Sequence, residues 1–325
     1  MFFKIINLLK IVKIKNSYVI IKHEKEEIKL GLKVTNVTKS FLDKKAVNNI
    51  SFTIDSPGVF GLLGTNGAGK TTTIRMMLGI IKKDSGEITW NGKNVTRKNV
   101  NFGYLPEERG IYPKAKVIDQ LVYFGKLKGI KKEEAIEKVK YWAKKLEVEQ
   151  YLEMPAEKLS KGNQQKVQFI IAVMHDPELI ILDEPFSGLD PVNAQILKDV
   201  ILELVKNGKY IVMSSHQMTQ IEEFCTDVVI LNKGVTVLKG NLKEIKNSYP
   251  CNKLEISTKE NINNYIESVG LNVNFSKDNE YIIDISGEEK ANDLLKSLTL
   301  NNVKIMKYEL KRPSLQDIFI EKVGE

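Results

Sequence analysis

Three short stretches of the chain carry residue types that together can do phosphate chemistry. The first is Gly64-Thr65-Asn66-Gly67-Ala68-Gly69-Lys70-Thr71, followed by Thr72. It fits the pattern G-x-x-x-x-G-K-[ST]. Its glycines let successive backbone N–H groups turn inward around phosphate oxygens without a Cβ clash. Lys70 offers a charge to the β- and γ-phosphates, and the Thr71 hydroxyl is a ligand for Mg²⁺. The second stretch is Asp183-Glu184, after the apolar run Leu179-Ile180-Ile181-Leu182. One carboxylate is enough for Mg²⁺, which keeps several of its waters. The other can orient or deprotonate an attacking water. A surface carboxylate pair would explain Asp-Glu alone. It explains poorly an Asp-Glu-Pro that follows four apolar residues in a chain with a phosphate loop. The third is His216, after Ser214-Ser215; a lone histidine is more often structural, but an imidazole here can contact a γ-phosphate.

These residues need elements to hold them. Val59-Phe60-Gly61-Leu62-Leu63 is a short apolar run bounded by glycine, the mark of a buried strand. Thr71 to Ile81 reads as a helix. The glycine-rich loop therefore joins a strand to a helix, whose positive end faces the same anion. Leu179–Leu182 reads as a second buried strand, which puts Asp183 at the carboxyl edge of a sheet, where open α/β folds bind ligands. Strand geometry carried one residue further would point Glu184 elsewhere. Tyr210–Met213 reads as a third strand and brings His216 to the same edge. Helices are expected over Gly162–His175 and Asn193–Val205. Residues 117–147 are helical in pattern, with Lys131-Lys132-Glu133-Glu134 on a solvated face and Trp142 in the core. Alternating strand and helix predicts a mostly parallel sheet.

Three segments follow from the composition. Residues 1–31 are an extension with seven lysines, three glutamates and many large apolar residues. As a helix it could lie in a membrane interface; the alternatives are a floppy leader or an extra strand, favoured near its end by Tyr18-Val19-Ile20-Ile21. Residues 32–247 form the main domain. It opens on the alternating strands Leu32–Thr35 and Ile50–Ile54 and closes on a hairpin, Val228–Leu231 and Val235–Leu238, around Lys233-Gly234. After Ser248-Tyr249-Pro250 the composition shifts. Residues 248–325 read as a small α+β domain, with strands at Lys253–Ser257 and Tyr281–Ile285 and helices at Asn261–Val269 and Glu288–Leu298.

The 49 basic against 41 acidic residues suit an anionic partner without choosing among nucleotide, nucleic acid and membrane. No block of Lys and Arg with interleaved aromatics supports nucleic acid, and none is expected as a partner. Cys225 and Cys251 are too few for a disulfide framework, and with His23, His175 and His216 they form no zinc-ligand cluster. No stretch reaches the ~20 apolar residues of a spanning helix. The start of the chain lacks a secretory cleavage site.

The ordered set of motifs resembles the nucleotide-binding subunit of ATP-binding cassette (ABC) transporters over about residues 32–245. Gly64–Thr71 is similar to Walker A, and Ile180–Asp183 to Walker B followed by the catalytic glutamate, Glu184. Ser187-Gly188-Leu189-Asp190 resembles the D-loop, and His216 the switch histidine. Leu159-Ser160-Lys161-Gly162-Asn163 stands where the family has Leu-Ser-Gly-Gly-Gln. The resemblance implies a P-loop NTPase cassette: a mostly parallel sheet core, an antiparallel β subdomain and a helical subdomain. It implies ATP and Mg²⁺, and a head-to-tail dimer in which Ser160, Gly162 and Asn163 of one copy cap the ATP held by the other. The second copy is either this chain or a paralogous cassette. Phe41 stands at the family's adenine-stacking position; the bland reading is a core phenylalanine.

Two departures matter. Lys161 and Asn163 replace a Gly and the Gln of the signature, leaving Ser160 and Gly162 for capping. Glu107, in Gly103-Tyr104-Leu105-Pro106-Glu107, replaces a Gln that touches Mg²⁺ and senses the membrane partner. It keeps an oxygen ligand but adds a negative charge. With Glu108-Arg109-Gly110 and Pro313-Ser314-Leu315-Gln316-Asp317-Ile318-Phe319, these features look like the ABC-2 type exporter branch that includes sodium-efflux subunits. The expectation is an ATPase at the cytoplasmic face of the membrane that powers export, of sodium ions or drugs, through a separate permease. The alternatives are a soluble ABC protein acting on ribosomes or DNA, and an importer ATPase.

Overall fold

The structure is a computed structural model that describes residues 10–14, 17–21, 31–96, 100–108 and 110–324. The described residues open on β1 (Lys10–Ile14) and β2 (Ser17–Ile21), which pair antiparallel. The strand favoured by the Tyr18–Ile21 run is therefore present. The helical, membrane-surface reading does not hold over these residues; its remainder, residues 1–9, lies outside the described ones.

Next come β3 (Leu32–Phe41), β4 (Lys44–Ile54), β5 (Gly58–Gly64), α1 (Lys70–Met77), β6 (Ser85–Trp90), β7 (Lys93–Asn94) and β8 (Phe102–Leu105). A helical region follows, with α2 (Val117–Leu127), α3 (Lys132–Lys145) and α4 (Lys161–Val173). The run read as one helical stretch is broken at Gly129, whose φ of +86° ends α2 cleanly. The cassette continues with β9 (Leu179–Asp183), α5 (Pro191–Lys206), β10 (Tyr210–Ser215), α6 (Met218–Glu222), β11 (Asp227–Asn232), β12 (Val235–Asn241) and α7 (Leu242–Asn247).

The central sheet has the order β12-β11-β5-β10-β9-β8. All its pairings are parallel except the β11–β12 hairpin. A separate antiparallel sheet has the order β4-β3-β6-β7. This arrangement has the expected mostly parallel core, antiparallel sheet and helical region. The buried strands are apolar throughout because both sheet faces are covered. Along β9, Ile180 and Leu182 enter the core under the helices, while Leu179 and Ile181 enter the core under the antiparallel sheet. β5 divides the same way: Val59 and Leu63 face one core, Phe60 and Leu62 the other.

The last segment holds β13 (Lys253–Thr258), α8 (Asn263–Ser268), β14 (Asn272–Lys277), β15 (Glu280–Asp284), α9 (Glu288–Leu300), β16 (Ile305–Lys311) and α10 (Leu315–Gly324). Its antiparallel sheet runs β14-β15-β13-β16, the order of a ferredoxin-like β-α-β-β-α-β unit. Leu254, Ile256, Ile283, Leu294 and Leu298 fill a core of its own. α10 departs from that unit. Its buried residues Leu315, Ile318 and Phe319 join the cassette core beside Met218 and Ile221.

Candidate functional site

β5 is flanked by β10 and β11, and β10 separates it from β9. The three chain segments with phosphate-chemistry residues thus leave neighbouring strands at one sheet edge. The loop after β5 turns on Gly64 (φ +148°), Gly67 (φ +79°) and Gly69 (φ +105°). A Cβ on Gly64 would stand 2.4 Å from the Leu231 carbonyl oxygen, and one on Gly69 2.6 Å from that of Ala46. Neither position takes a side chain without moving backbone. At Gly67 a Cβ would meet nothing within 4 Å, so this part of the loop opens outward, toward where an anion can enter.

Lys70 opens α1 and folds back over the loop. Its Nζ donates to the carbonyl oxygens of Gly64 (2.7 Å) and Thr65 (3.3 Å). It also lies 3.7 Å from Glu184 Oε1. Both side chains are buried, and a buried charge holds its place only when paired and hydrogen-bonded. The same Glu184 oxygen lies 3.0 Å from His216 Nδ1.

Glu184 reaches this position by leaving the strand. β9 ends at Asp183, and Glu184 takes a left-handed backbone (φ 51°), uncommon outside glycine and asparagine. Its N–H donates to Ser214 Oγ at 3.1 Å, which fixes the turn. Strand geometry carried on would have pointed the carboxylate elsewhere; the kink turns it into the pocket lined by the phosphate loop. Such conformations cluster at functional sites, where surrounding bonds hold them.

Asp183 is 1% exposed. Its Oδ1 accepts from Ser214 Oγ, and its Oδ2 is buried without a partner. An orphaned carboxylate oxygen this deep calls for a cation or a hydrogen-bond donor. Thr71 and Glu107 line the pocket that the next residue, Glu184, also lines; with Asp183 they make an all-oxygen donor set that suits Mg²⁺. Tyr104, on β8, stands beside Asp183. Burial first, and that carboxylate second, push its hydroxyl pKa up to about 12, so it remains a neutral donor.

The pocket has a volume of about 460 Å³. Asn66 to Thr72 form its floor, while Phe41, Glu107 and Glu184 stand at its sides. Phe41 is not a core residue: 46% of it is exposed at the rim, with Lys39 Nζ 5.4 Å from the ring centroid. Lys44, Lys45 and Lys233 also line the pocket, and sequence reading had given them no role. Lys233 was visible only as half of a turn. That turn docks onto the loop, Gly234 N–H donating to the Ala68 carbonyl at 3.1 Å.

Ser160, Gly162, Asn163 and Asp190 do not line this pocket. Ser160 caps α4, its Oγ accepting from Asn163 N–H at 3.2 Å. Asp190 caps α5, accepting from the N–H groups of Val192 and Asn193, both at 3.0 Å. Hydrogen bonds from Asn193, chiefly the backbone one, hold the Asp190 carboxyl below the usual range. A Cβ on Gly162 would stand 3.2 Å from Leu189 Cδ2, so the two helix starts form one patch. Lys166, 2% exposed on α4, ties them together through Asn193 Oδ1 at 2.6 Å.

A strand-loop-helix phosphate cradle, with a buried Asp and a kinked Glu at the same sheet edge, defines a P-loop nucleoside triphosphatase. Residues 47–187 match the family model described as ABC transporter, and residues 240–323 the one described as ATP-binding protein DrrA1-3-like, C-terminal domain. The chain is 46% identical over 295 residues to the uncharacterized ABC transporter ATP-binding protein YhaQ of Bacillus subtilis, covering 90% of this chain and 98% of that one. It is 28% identical over 305 residues to the linearmycin resistance ATP-binding protein LnrL of the same organism, covering 90% and 98%. A solved structure of an ATP binding subunit of an ABC transporter superposes with a TM-score of 0.62 at 28% identity, covering 67% of this chain and 92% of that chain. The chain belongs to the ATP-binding proteins of ABC transporters, in their exporter-type branch, a family that hydrolyses ATP to power transport. Among the described residues, no helix is long and apolar enough to cross a membrane.

Proposed function

We propose that two cassettes, this chain with itself or with a paralogue, close head to tail on ATP and drive export through a separate permease. The protein then works at the cytoplasmic face of the membrane, as a peripheral subunit. One observation carries the dimer: Lys70 and Glu184 line one pocket, with His216 against the Glu184 carboxylate, while Ser160, Gly162, Asn163 and Asp190 lie outside that pocket, where two helix starts meet. A capped helix start is a ready anion site, and the ATP held by a second copy would supply the anion. ATP bound only by the closed pair favours that pair by mass action.

In this reading Phe41 stacks on adenine and the N–H groups of Thr65 to Thr72 hold the phosphates. Thr71, Asp183 and Glu107 would hold Mg²⁺, which neutralises the charge that develops on the phosphate oxygens. Glu184 takes a proton from the attacking water. The new O–P bond forms as the β–γ bridge breaks, and ADP leaves with phosphate. Lys70 steadies the γ-phosphate oxygens. His216 holds the Glu184 carboxylate on one side and faces the phosphate on the other. Glu107 adds a negative charge where the wider ABC family usually has a glutamine, so it binds the cation more strongly and also favours an approaching cationic group from the permease.

The resistance protein among the relatives makes an organic, antibiotic-like cargo one class to test beside sodium ions. Vesicles holding this subunit and its permease decide between them. ATP-dependent outward flux of sodium, or of labelled linearmycin, identifies the cargo; ATP-driven uptake with no outward flux would refute export.

A further inference from the structure

The tail segment Pro313–Phe319 has no part in the site described above, yet it ends against the helix that leads from it. We infer that α10 is a clamp on α6, and that Glu222 is a positioning residue for His216. This inference rests on the proposed catalytic role of His216.

α6 starts two residues after His216 and is only five residues long. So short a helix has little stability of its own and takes its position from what it packs on. Two of its residues, Met218 and Ile221, are buried. Below it lies β5, the strand that feeds the phosphate loop. A Cβ on Gly61 would come within 2.9 Å of Ile221 Cγ2, so glycine there lets α6 sit directly on that strand. Beside it lies α10, with Leu315, Ile318 and Phe319 at helical spacing and all buried in the same core.

The polar contacts are as specific. Ser314 and Asp317 form a reciprocal cap: Ser314 N–H and Oγ–H donate to Asp317 Oδ2 at 2.9 and 2.7 Å, and Asp317 N–H donates to Ser314 Oγ at 3.1 Å. The cap leaves the Leu315 N–H free to donate outside its own helix, and its acceptor is Glu222 Oε1. The other oxygen of Glu222 accepts from Lys246 of α7 at 3.3 Å. One carboxylate at the end of α6 thus joins three helices. The arm that bears α10 is the continuation of β16, an edge strand of the ferredoxin-like unit, through Arg312 and Pro313. A displacement of that unit pulls on α6 at one end and on His216 at the other. The C-terminal unit then sets the hydrolytic step, with nucleotide binding left to the loop and Phe41.

The test uses the full chain with Glu222→Ala, which removes the acceptor, and Glu222→Gln, which keeps an oxygen for the Leu315 N–H. Phe319→Ala loosens the apolar half of the clamp independently. The readouts are kcat, ATP affinity, and the imidazole ring signals of the three histidines by NMR. Glu222→Ala and Phe319→Ala are expected to shift the His216 ring signal, leave that of His175 in place, and lower kcat about tenfold with ATP affinity within about twofold. Glu222→Gln is expected to restore both. An unmoved His216 signal in Glu222→Ala and Phe319→Ala overturns the clamp, whatever happens to turnover. Loss of ATP affinity in step with kcat also overturns it, as that is general damage. His216→Ala, run alongside, tests the underlying assignment. Full turnover in that variant sinks the histidine's catalytic role and leaves the ring signal alone to judge the clamp.

Discussion

Glu184 Oε1 and His216 Nδ1 lie 3.0 Å apart, although a complete helix, Pro191–Lys206, separates the two strands that deliver them. The contact exists because β9 and β10 are parallel neighbours, with Asp183 in register with Ser214. A kink after Asp183 then turns Glu184 across to its neighbour's histidine. The pair is held on both sides: Ser214 anchors the kink, and Lys70 approaches the same carboxylate oxygen.

The first prediction concerns that carboxylate. Glu184→Gln keeps the shape and the backbone bond to Ser214 but removes the base. Hydrolysis should fall by roughly 10²-fold or more, the usual worth of a positioned general base. ATP binding should persist, and the ATP-bound form should accumulate as a dimer by light scattering. Turnover at the normal rate would transfer the role to another group.

Asp183 gives a metal-dependence prediction. Asp183→Asn preserves an oxygen for Ser214 but puts an amide where the buried Oδ2 waits for a partner. The Mg²⁺ concentration for half-maximal activity should rise by about tenfold or more, because a charge–cation contact is replaced by a neutral one. An unchanged Mg²⁺ titration would place the ion elsewhere.

Phe41 tests recognition at the pocket rim. Losing an aromatic stack costs about 1 kcal/mol, so Phe41→Ala should weaken ATP binding roughly fivefold, while Phe41→Trp retains it. Since the ring is already half-exposed, the fold should be untouched. Equal loss of thermal stability in Phe41→Ala would return the residue to a structural role.

A pH dependence follows from the cap on α10. Burial alone would raise the Asp317 pKa, but the Ser314 hydrogen bonds, with Lys253 assisting, outweigh it and lower it. A carboxylate lowered in the folded state stabilises it above the unfolded value, about 3.9 for Asp, and that contribution fades as pH falls through the folded value. Asp317→Asn should therefore be less stable than the parent at pH 7. The gap in urea midpoints should close as pH drops below about 4. A gap that stays constant down to pH 2.5, a setting of roughly one unit below the carboxylate range, would show that the charge has no part in it.

Much of this was legible in the chain. Gly64–Thr71 and the run ending at Asp183 announced themselves because a phosphate cradle and a doubly covered strand leave little choice of residue. The strand alternation of Leu32–Thr35 and the charged faces of α3 were readable for the same reason. What escaped depended on contacts between distant segments. The kink at Glu184 is fixed by Ser214, which no local pattern ties to it. Lys44, Lys45 and Lys233 look like ordinary surface lysines until two hairpins meet at the loop. The helix at Leu315–Gly324 has an apolar stripe that says it is covered, but only the fold shows that the cassette does the covering. Of the readings open for the extension, the extra strand is the one found, as the pair Lys10–Ile14 and Ser17–Ile21, since β-branched residues there favour extended backbone.

The most direct test of the account is complementation between two inactive variants. Lys70→Ala spoils the phosphate cradle, and Ser160→Arg blocks the signature patch that would cap a partner's ATP. Each alone forms dimers with no intact site. A 1:1 mixture forms mixed dimers in which one cradle with Lys70 faces one intact Ser160. The mixture is expected to recover roughly a quarter of the wild-type ATPase rate, half the dimers carrying one good site of two. Activity of the mixture no greater than the sum of the separate variants would contradict a site shared between two copies of this chain, and full activity of Ser160→Arg alone would contradict a shared site altogether.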